Sequence, residues 1–333
     1  MKFLHPIEPN IWQGRIDDTT DFDAFRWHQW VKLIDLNNSE VIDGPLNICF
    51  VGFCCDQGVE RNKGRVGASK GPNSIRKEMS NLPCQFDSQV KLFDAGNILV
   101  SGRSLEEAQD SLSVVVDTIL SLNMFPVVLG GGHEIAFGHY KGLRRYLDPT
   151  KKLGIINFDA HLDIRPYPNG GSSGTMFRQI YDMCQEEAID YGYFCIGVQK
   201  RSNTVALFKS AKEMTAEYIL AKDMFVSDSM MRIKKLNRFI TKHDQIYMTI
   251  CADVFSAAYA PGVSASQAIG LEPEQVLELI KYIIESDKVI SFDIAEVSPR
   301  FDHDKVTSNL AAVLIFAVVN SLAGMKNLQI DIE

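Results

Sequence analysis

The 333-residue chain has no CxxC pair, no run of about eighteen uninterrupted apolar residues and no surplus of positive charge. Each absence argues against a class of protein. The seven cysteines, at 49, 54, 55, 84, 184, 195 and 251, form an odd, scattered set. Neither a disulfide framework nor a zinc ribbon fits that set, and most of the thiols are expected to be reduced, buried and inert. Against 42 Asp and Glu stand 34 Lys and Arg, for a formal net charge of −8. That balance disfavours nucleic acid or an anionic membrane as partner and leaves a small molecule or another copy of the chain. The opening Met1–Pro6 lacks the apolar run of a signal peptide, so a soluble, cytoplasmic protein is expected. Internal repeats, low-complexity segments and Pro-, Gly- or Ser-rich linkers are missing too. One domain over residues 1–333 is the simpler reading, with 1–45 as an N-terminal extension packed on it.

What is present is an alternation of short apolar runs with longer amphipathic stretches, and a composition 46% hydrophobic, enough for a large core. The pattern predicts an α/β fold with three layers, helices lying on both faces of a mostly parallel central sheet. Strands are expected at 47–52, 126–129, 154–158, 193–196, 245–250 and 288–292. Helices are expected at 104–122, 134–146, 204–211, 228–241, 274–286 and 306–322. Pro273 fits the first turn of its helix, with Glu272 and Glu274 at the positive end. Gly170–Gly174 reads as a mobile loop suited to covering a substrate.

In an open α/β sheet, chemistry gathers beyond the carboxyl ends of the strands. Four expected strands end in polar groups of one kind: Gly130-Gly131-Gly132-His133, Asp159-Ala160-His161-Leu162-Asp163, Cys251-Ala252-Asp253, and Asp293-Ile294-Ala295-Glu296. Residues i, i+2 and i+4 of an extended segment share a face, which would let Asp159, His161 and Asp163 converge. A single Asp or His at a strand end is ordinarily a turn former or a helix cap. Four such ends together point instead to metal. The donors His133, Asp159, His161, Asp163, Cys251 and Asp253 are a mixed nitrogen and oxygen set suited to manganese or a similar divalent ion, and too many for one tetrahedral ion.

These elements resemble the arginase/agmatinase family, in the Gly-Gly-x-His, Asp-Ala-His-x-Asp, Ser-x-Asp-x-Asp (here Thr249–Asp253) and Asp-x-x-Glu-x-x-Pro (Asp293–Pro299) patterns, joined by Gly64–Arg76. Trp12–Asp18 with Arg26–Gln29, Gly174–Gln179 and Ala260–Ala265 look like the branch of that family that cleaves N-formimidoyl-L-glutamate. Ser173 stands where the guanidine-cleaving branches usually carry His. Two departures from the family pattern bear on the chemistry: Gly132 replaces its usual Asp, and Cys251 replaces a metal-ligating Asp. A thiol offers one softer donor where a carboxylate can bridge, so Cys251 is either a ligand of a weaker or different second ion or a buried strand-end cysteine.

The resemblance implies an arginase-like fold and paired Mn2+ ions that turn water into a nucleophile, which attacks the formimidoyl carbon to give glutamate and formamide in histidine degradation. It implies that Asp163 is both ligand and general acid/base and that Glu296 holds the amidinium. It places Arg165 toward the substrate's carboxylates, with Arg178 and Arg65 as weaker candidates and Ser172 and Ser173 as further donors. Family members are often trimers or hexamers, so a homo-oligomer is expected by analogy. The alternatives are hydrolysis of another amidine or a guanidine, and a catalytically inert metal-binding homologue. His5, His243 and His303 are expected to be exposed or satisfied locally, and His28 to be structural. His139, six residues past His133 on a helix, lies well off its face and makes a poor co-ligand.

Overall fold

The computed structural model describes residues 3–100, 102, 104–225 and 229–330. Its centre is one ten-stranded sheet: β1 (Leu4–His5), β2 (Lys32–Leu33), β3 (Leu46–Cys54), β4 (Val90–Leu99), β5 (Phe125–Leu129), β6 (Leu153–Phe158), β7 (Gly192–Val198), β8 (Glu217–Leu220), β9 (Gln245–Cys251) and β10 (Val289–Ala295). The strands run in the order β1-β4-β3-β5-β10-β9-β6-β7-β8, with β2 also paired to β4. Among the described strand pairs only β1 against β4 is antiparallel. The central strands read as unbroken apolar runs because both faces are covered.

Alternation along each strand sends side chains to two separate cores. Val127 and Leu129 enter one, with Ile75, Ile280 and Leu314; Val128 enters the other, with Leu112, Tyr140 and Ile180. The first core is roofed by helices Gly71–Met79, Pro273–Ile284 and Val306–Met325, the second by Leu105–Ser121, Ile135–Tyr146, Met176–Glu186 and Val205–Glu213. The expected three layers are therefore present. The last helix is long and apolar enough, by length and composition, to cross a membrane. Here it lays Ala311, Leu314, Ile315 and Val318 into the first core.

The six expected strands and six expected helices all appear, with ends shifted by a few residues. The helix expected from Asp228 runs Ser229–Lys242, and Asp228 lies outside the described residues. Strands β4 and β8 and the helices Gly71–Met79 and Met176–Glu186 were not anticipated. Residues 3–45 do more than pack on the domain, since β1 and β2 extend the sheet along β4 and Trp27 is fully buried.

That edge is held by a buried ion pair. Arg76 and Asp94 are both wholly inaccessible and meet in a two-pronged contact, Nε to Oδ2 at 2.6 Å and Nη2 to Oδ1 at 2.9 Å. Trp12 donates its indole N–H to Asp94 and Asn97 accepts from Arg76, so the pair's remaining bonding capacity is used inside the fold. Breaking such a pair on one side strands a charge. Arg76→Ala is expected to cost about 3–5 kcal/mol, read as a lowered urea midpoint at unchanged m-value. A loss under about 1 kcal/mol would show that Asp94 is solvated or paired in another way.

Candidate active site

Strands β5, β10, β9 and β6 are neighbours in the sheet, and the four ligand-bearing segments leave their carboxyl ends side by side. β5 and β6 follow one another in sequence but lie two strands apart, and the chain parts around the crevice between them. The backbone there is crowded. A Cβ at Gly131 would stand 1.9 Å from the carbonyl oxygen of Cys55, so only glycine lets the β5 turn close and bring His133 inward.

Asp159, His161 and Asp163 do converge, but not by strand alternation. β6 ends at Phe158 and the chain bends. Asp159 Oδ1 accepts the N–H of His161 at 2.7 Å, and Asp163 sits in the left-handed region at φ 49°. Glu296, just past β10, is left-handed as well at φ 66°. Left-handed backbone in non-glycine residues costs on the order of 1 kcal/mol or more and persists where the surroundings impose it. Asp293, expected at the strand end, is instead inside β10 and turned into the core.

Two overlapping groups of donors result: His133, Asp159 and Cys251, and Asp159, His161 and Asp253. Asp159 belongs to both, as a bridging carboxylate would. Asp163 joins the first through Oδ2, 3.3 Å from His133 Nδ1; Asp159 Oδ2 is 2.9 Å from the same nitrogen. His161 Nδ1 lies 3.2 Å from Asp253. The proton of Thr249 is committed to Asp293, so its oxygen faces His133 Nε2 as an acceptor at 3.1 Å. That leaves His133 Nδ1 as a lone pair aimed at carboxylate oxygens. Nδ1 makes no hydrogen bond despite these short distances, and Asp253 Oδ1 and Glu296 Oε2 are likewise buried without a partner. Acceptors facing acceptors out of water call for a cation between them, and this donor set fits a pair of divalent ions.

The electrostatics agree. Burial, then the charge of Asp159, pushes the Asp163 carboxyl up to about 6. Burial also raises Asp253, and with Glu134 and Asp253 nearby it lifts Glu296 well above the usual range. Burial opposes ionisation of Asp159, but the His133 and His161 imidazoles beside it hold its carboxyl well below the usual range. Burial and then the surrounding carboxylates push the Cys251 thiol far up. A bound cation reverses each of these penalties.

His133, His161, Asp163, Cys251 and Asp253 line a cavity of about 290 Å³, together with Glu296, Arg165, Ser173, Asn62, Lys63, Gly64, Arg65, Ser264 and Ala265. Of the expected substrate contacts, Arg165 and Ser173 reach it. Ser172 does not, because its hydroxyl accepts the N–H of Gly174 within the loop. Arg178 is also turned away, paired with Asp182 at 3.2 Å on its own helix. Arg65 borders the cavity but spends its guanidinium on the carbonyls of Val263 and Ser264 and lies over Phe301. Of the loop expected to cover a substrate at 170–174, residues 171–174 are buried and tied to Arg61, Gly58 and Arg165, and Ser173 walls the cavity. Asn62, Lys63 and Ser264 were not anticipated; the one local signal was their position beside or within the family-like elements at 64–76 and 260–265.

The glycine at 132 has its own explanation. A Cβ there would stand 2.0 Å from Glu134 Oε2, so the buried Glu134 carboxylate fills the space a side chain at 132 would use. Burial pushes Glu134 up to about 7, and its Oε1 accepts the N–H of Gly58.

Residues 46–320 match the arginase family model, and the chain belongs to that family. It is 58% identical to the formimidoylglutamase of Clostridium tetani, over 96% of each chain, and 43% identical to that of Geobacillus thermodenitrificans, over 92% of this chain and 94% of the other. Among solved structures it is similar to the formimidoylglutamase of Bacillus subtilis (TM-score 0.80, 23% identity, 93% and 96% covered). A Trypanosoma cruzi formiminoglutamase with Mn2+2 also shares the fold (TM-score 0.75, 24% identity, 84% and 94% covered).

Gly132→Asp is expected to lose about 1–3 kcal/mol by overpacking, and less than that in a Glu134→Ser background. Equal losses in the two backgrounds, measured by thermal unfolding, would show that Glu134 is not the obstacle.

Proposed function

We infer that this chain is a metal-dependent formimidoylglutamase, hydrolysing N-formimidoyl-L-glutamate to glutamate and formamide, and that it does so in the cytoplasm as a step of histidine degradation. The observation that carries the reading is the polarity of the cavity. Its inner end is walled by Asp163, Asp253 and Glu296, and its mouth carries the exposed cations Arg165 and Lys63. The substrate has the complementary polarity, an amidinium at one end and two carboxylates at the other. Relatives at 58% and 43% identity that bear this enzyme's name support the same conclusion.

Mn2+ is the proposed metal, which His133, Asp159, Asp163 and Cys251 would hold in one group and Asp159, His161 and Asp253 in the other. When bound, the ions supply Lewis acidity and lower the pKa of water toward neutrality, giving a nucleophile at working pH. Glu296 Oε1 is fixed by the N–H of His133 at 2.9 Å, and the free Oε2 accepts from the amidinium and orients the formimidoyl carbon. Asp163, at the inner end of the cavity, takes the proton released as water adds and passes it to the glutamate nitrogen when the carbon–nitrogen bond breaks. Arg165 and Lys63 bind the carboxylates.

The test is turnover by the Mn2+-loaded protein, with N-formimidoyl-L-glutamate, agmatine and arginine compared. Formamide and glutamate release is expected. Urea release from a guanidine, with no formamide from the amidine, would move the chain to another branch of the family. Asp163→Asn is expected to lower kcat by about 10²–10⁴-fold. Arg165→Ala and Lys63→Ala should each raise KM about tenfold with kcat nearly unchanged. A kcat loss without a KM change in the two cation variants would contradict their assignment to substrate binding.

A further inference from the structure

The side chains of β9 and β10 that face the helix Ile135–Tyr146 include a polar ladder in an otherwise apolar core. Tyr247, Thr249 and Cys251 alternate along β9, and Ser291 and Asp293 along β10, with Tyr247 opposite Ser291 and Thr249 opposite Asp293. Cys251, at the end of the ladder, opens on the donor cluster. Tyr247, Thr249, Ser291 and Asp293 are wholly buried, as is His139 on the helix above them.

The bonds between them converge on Asp293. Ser291 donates its hydroxyl to the Pro126 carbonyl at 3.1 Å, which leaves its oxygen facing His139 Nε2. His139 Nδ1 lies 2.6 Å from Asp293 Oδ2, and Tyr247, whose ring lies 4.5 Å from the imidazole, donates its hydroxyl to the same oxygen. Asp293 Oδ1 accepts the hydroxyl of Thr249 at 2.6 Å, and Thr249 in turn accepts from His133 Nε2. A buried carboxylate with three partners does not rotate freely. With Asp293 fixed, the proton of Thr249 has one place to go, and His133 is left as the tautomer whose Nδ1 faces Asp159 and Asp163.

We propose that His139, with Tyr247, is a positioning residue that acts through Asp293 and Thr249 to fix the tautomer and ring orientation of His133. The role rests on the metal-site reading above. His139, a poor co-ligand by helical geometry, reaches the site along the face of the sheet that its helix covers, through side chains of β9 and β10. Hydrogen-bond partners behind a ligating histidine commonly govern metal affinity by 10–100-fold.

The experiment is Mn2+ titration followed by electron paramagnetic resonance of free and bound metal, on the wild type and on Thr249→Val, Tyr247→Phe, His139→Leu and His139→Asn. Thermal midpoints of the metal-free proteins are measured alongside. Thr249→Val and His139→Leu are expected to weaken Mn2+ binding by about 10–100-fold, and Tyr247→Phe, which deletes one hydroxyl, by up to about tenfold. His139→Asn keeps a donor toward Asp293 and is expected to recover most of the affinity that His139→Leu loses. Should His139→Leu fail to fold, the other three variants decide the matter. Wild-type affinity in Thr249→Val and Tyr247→Phe, or equal affinity in the Leu and Asn variants, overturns the proposal while leaving the metal reading in place, provided the wild type takes up paired ions. A wild type that binds no Mn2+ overturns both.

Discussion

Carboxylates crowded together out of water are the constraint on which the rest of this structure depends. Asp159, Asp163, Asp253 and Glu296 are buried at neighbouring strand ends, with Glu134 buried beside them and two imidazoles in their midst. Removing so much charge of one sign from water is strongly unfavourable unless cations share the space. The raised pKa values of Asp163, Asp253, Glu134 and Glu296 express that penalty. The left-handed backbone at Asp163 and Glu296 and the crowded glycines after β5 are further costs borne at one place. Such concentration of strain marks a site kept for function rather than for stability.

Binding and chemistry then divide the cavity along its depth. Acceptors at the bottom suit metal and amidinium; Arg165 and Lys63 at the mouth suit carboxylates. Cys251 sits at the boundary between core and site. Its thiol is pushed up by burial and by the same carboxylates, so it becomes a useful donor only with a metal close enough to favour the thiolate. The polar ladder behind it links the donor cluster to a helix on the outer layer, and the sheet serves as frame and conduit at once.

Much of this was legible in the sequence because it is local. The Asp-Ala-His-Leu-Asp and Gly-Gly-Gly-His segments carry their donors within a few residues, and each follows an apolar run that can only be a strand or a buried helix segment. The convergence was foreseen for the wrong reason, since the bend after Phe158 and the left-handed Asp163, not strand alternation, bring the donors together. Strand β4 was hidden because Asp94 and Asn97 look like loop residues until Arg76 and Trp12 arrive from elsewhere to satisfy them. The helix Gly71–Met79 begins with Gly-Pro-Asn-Ser, which reads as a turn. Arg178, plausible by position, is taken by Asp182 one helical turn away. Asn62, Lys63 and Ser264 border the cavity only because two loops some two hundred residues apart meet, as the contact of Arg65 with Ser264 shows, and no local pattern encodes that.

The most direct test of the central claim is anomalous diffraction at the manganese edge from crystals of the Mn2+-loaded protein. The account predicts paired peaks, one against His133 and Cys251 and one against His161 and Asp253, with the Asp159 carboxylate between them. A single peak, or peaks that Asp159 does not bridge, would contradict it.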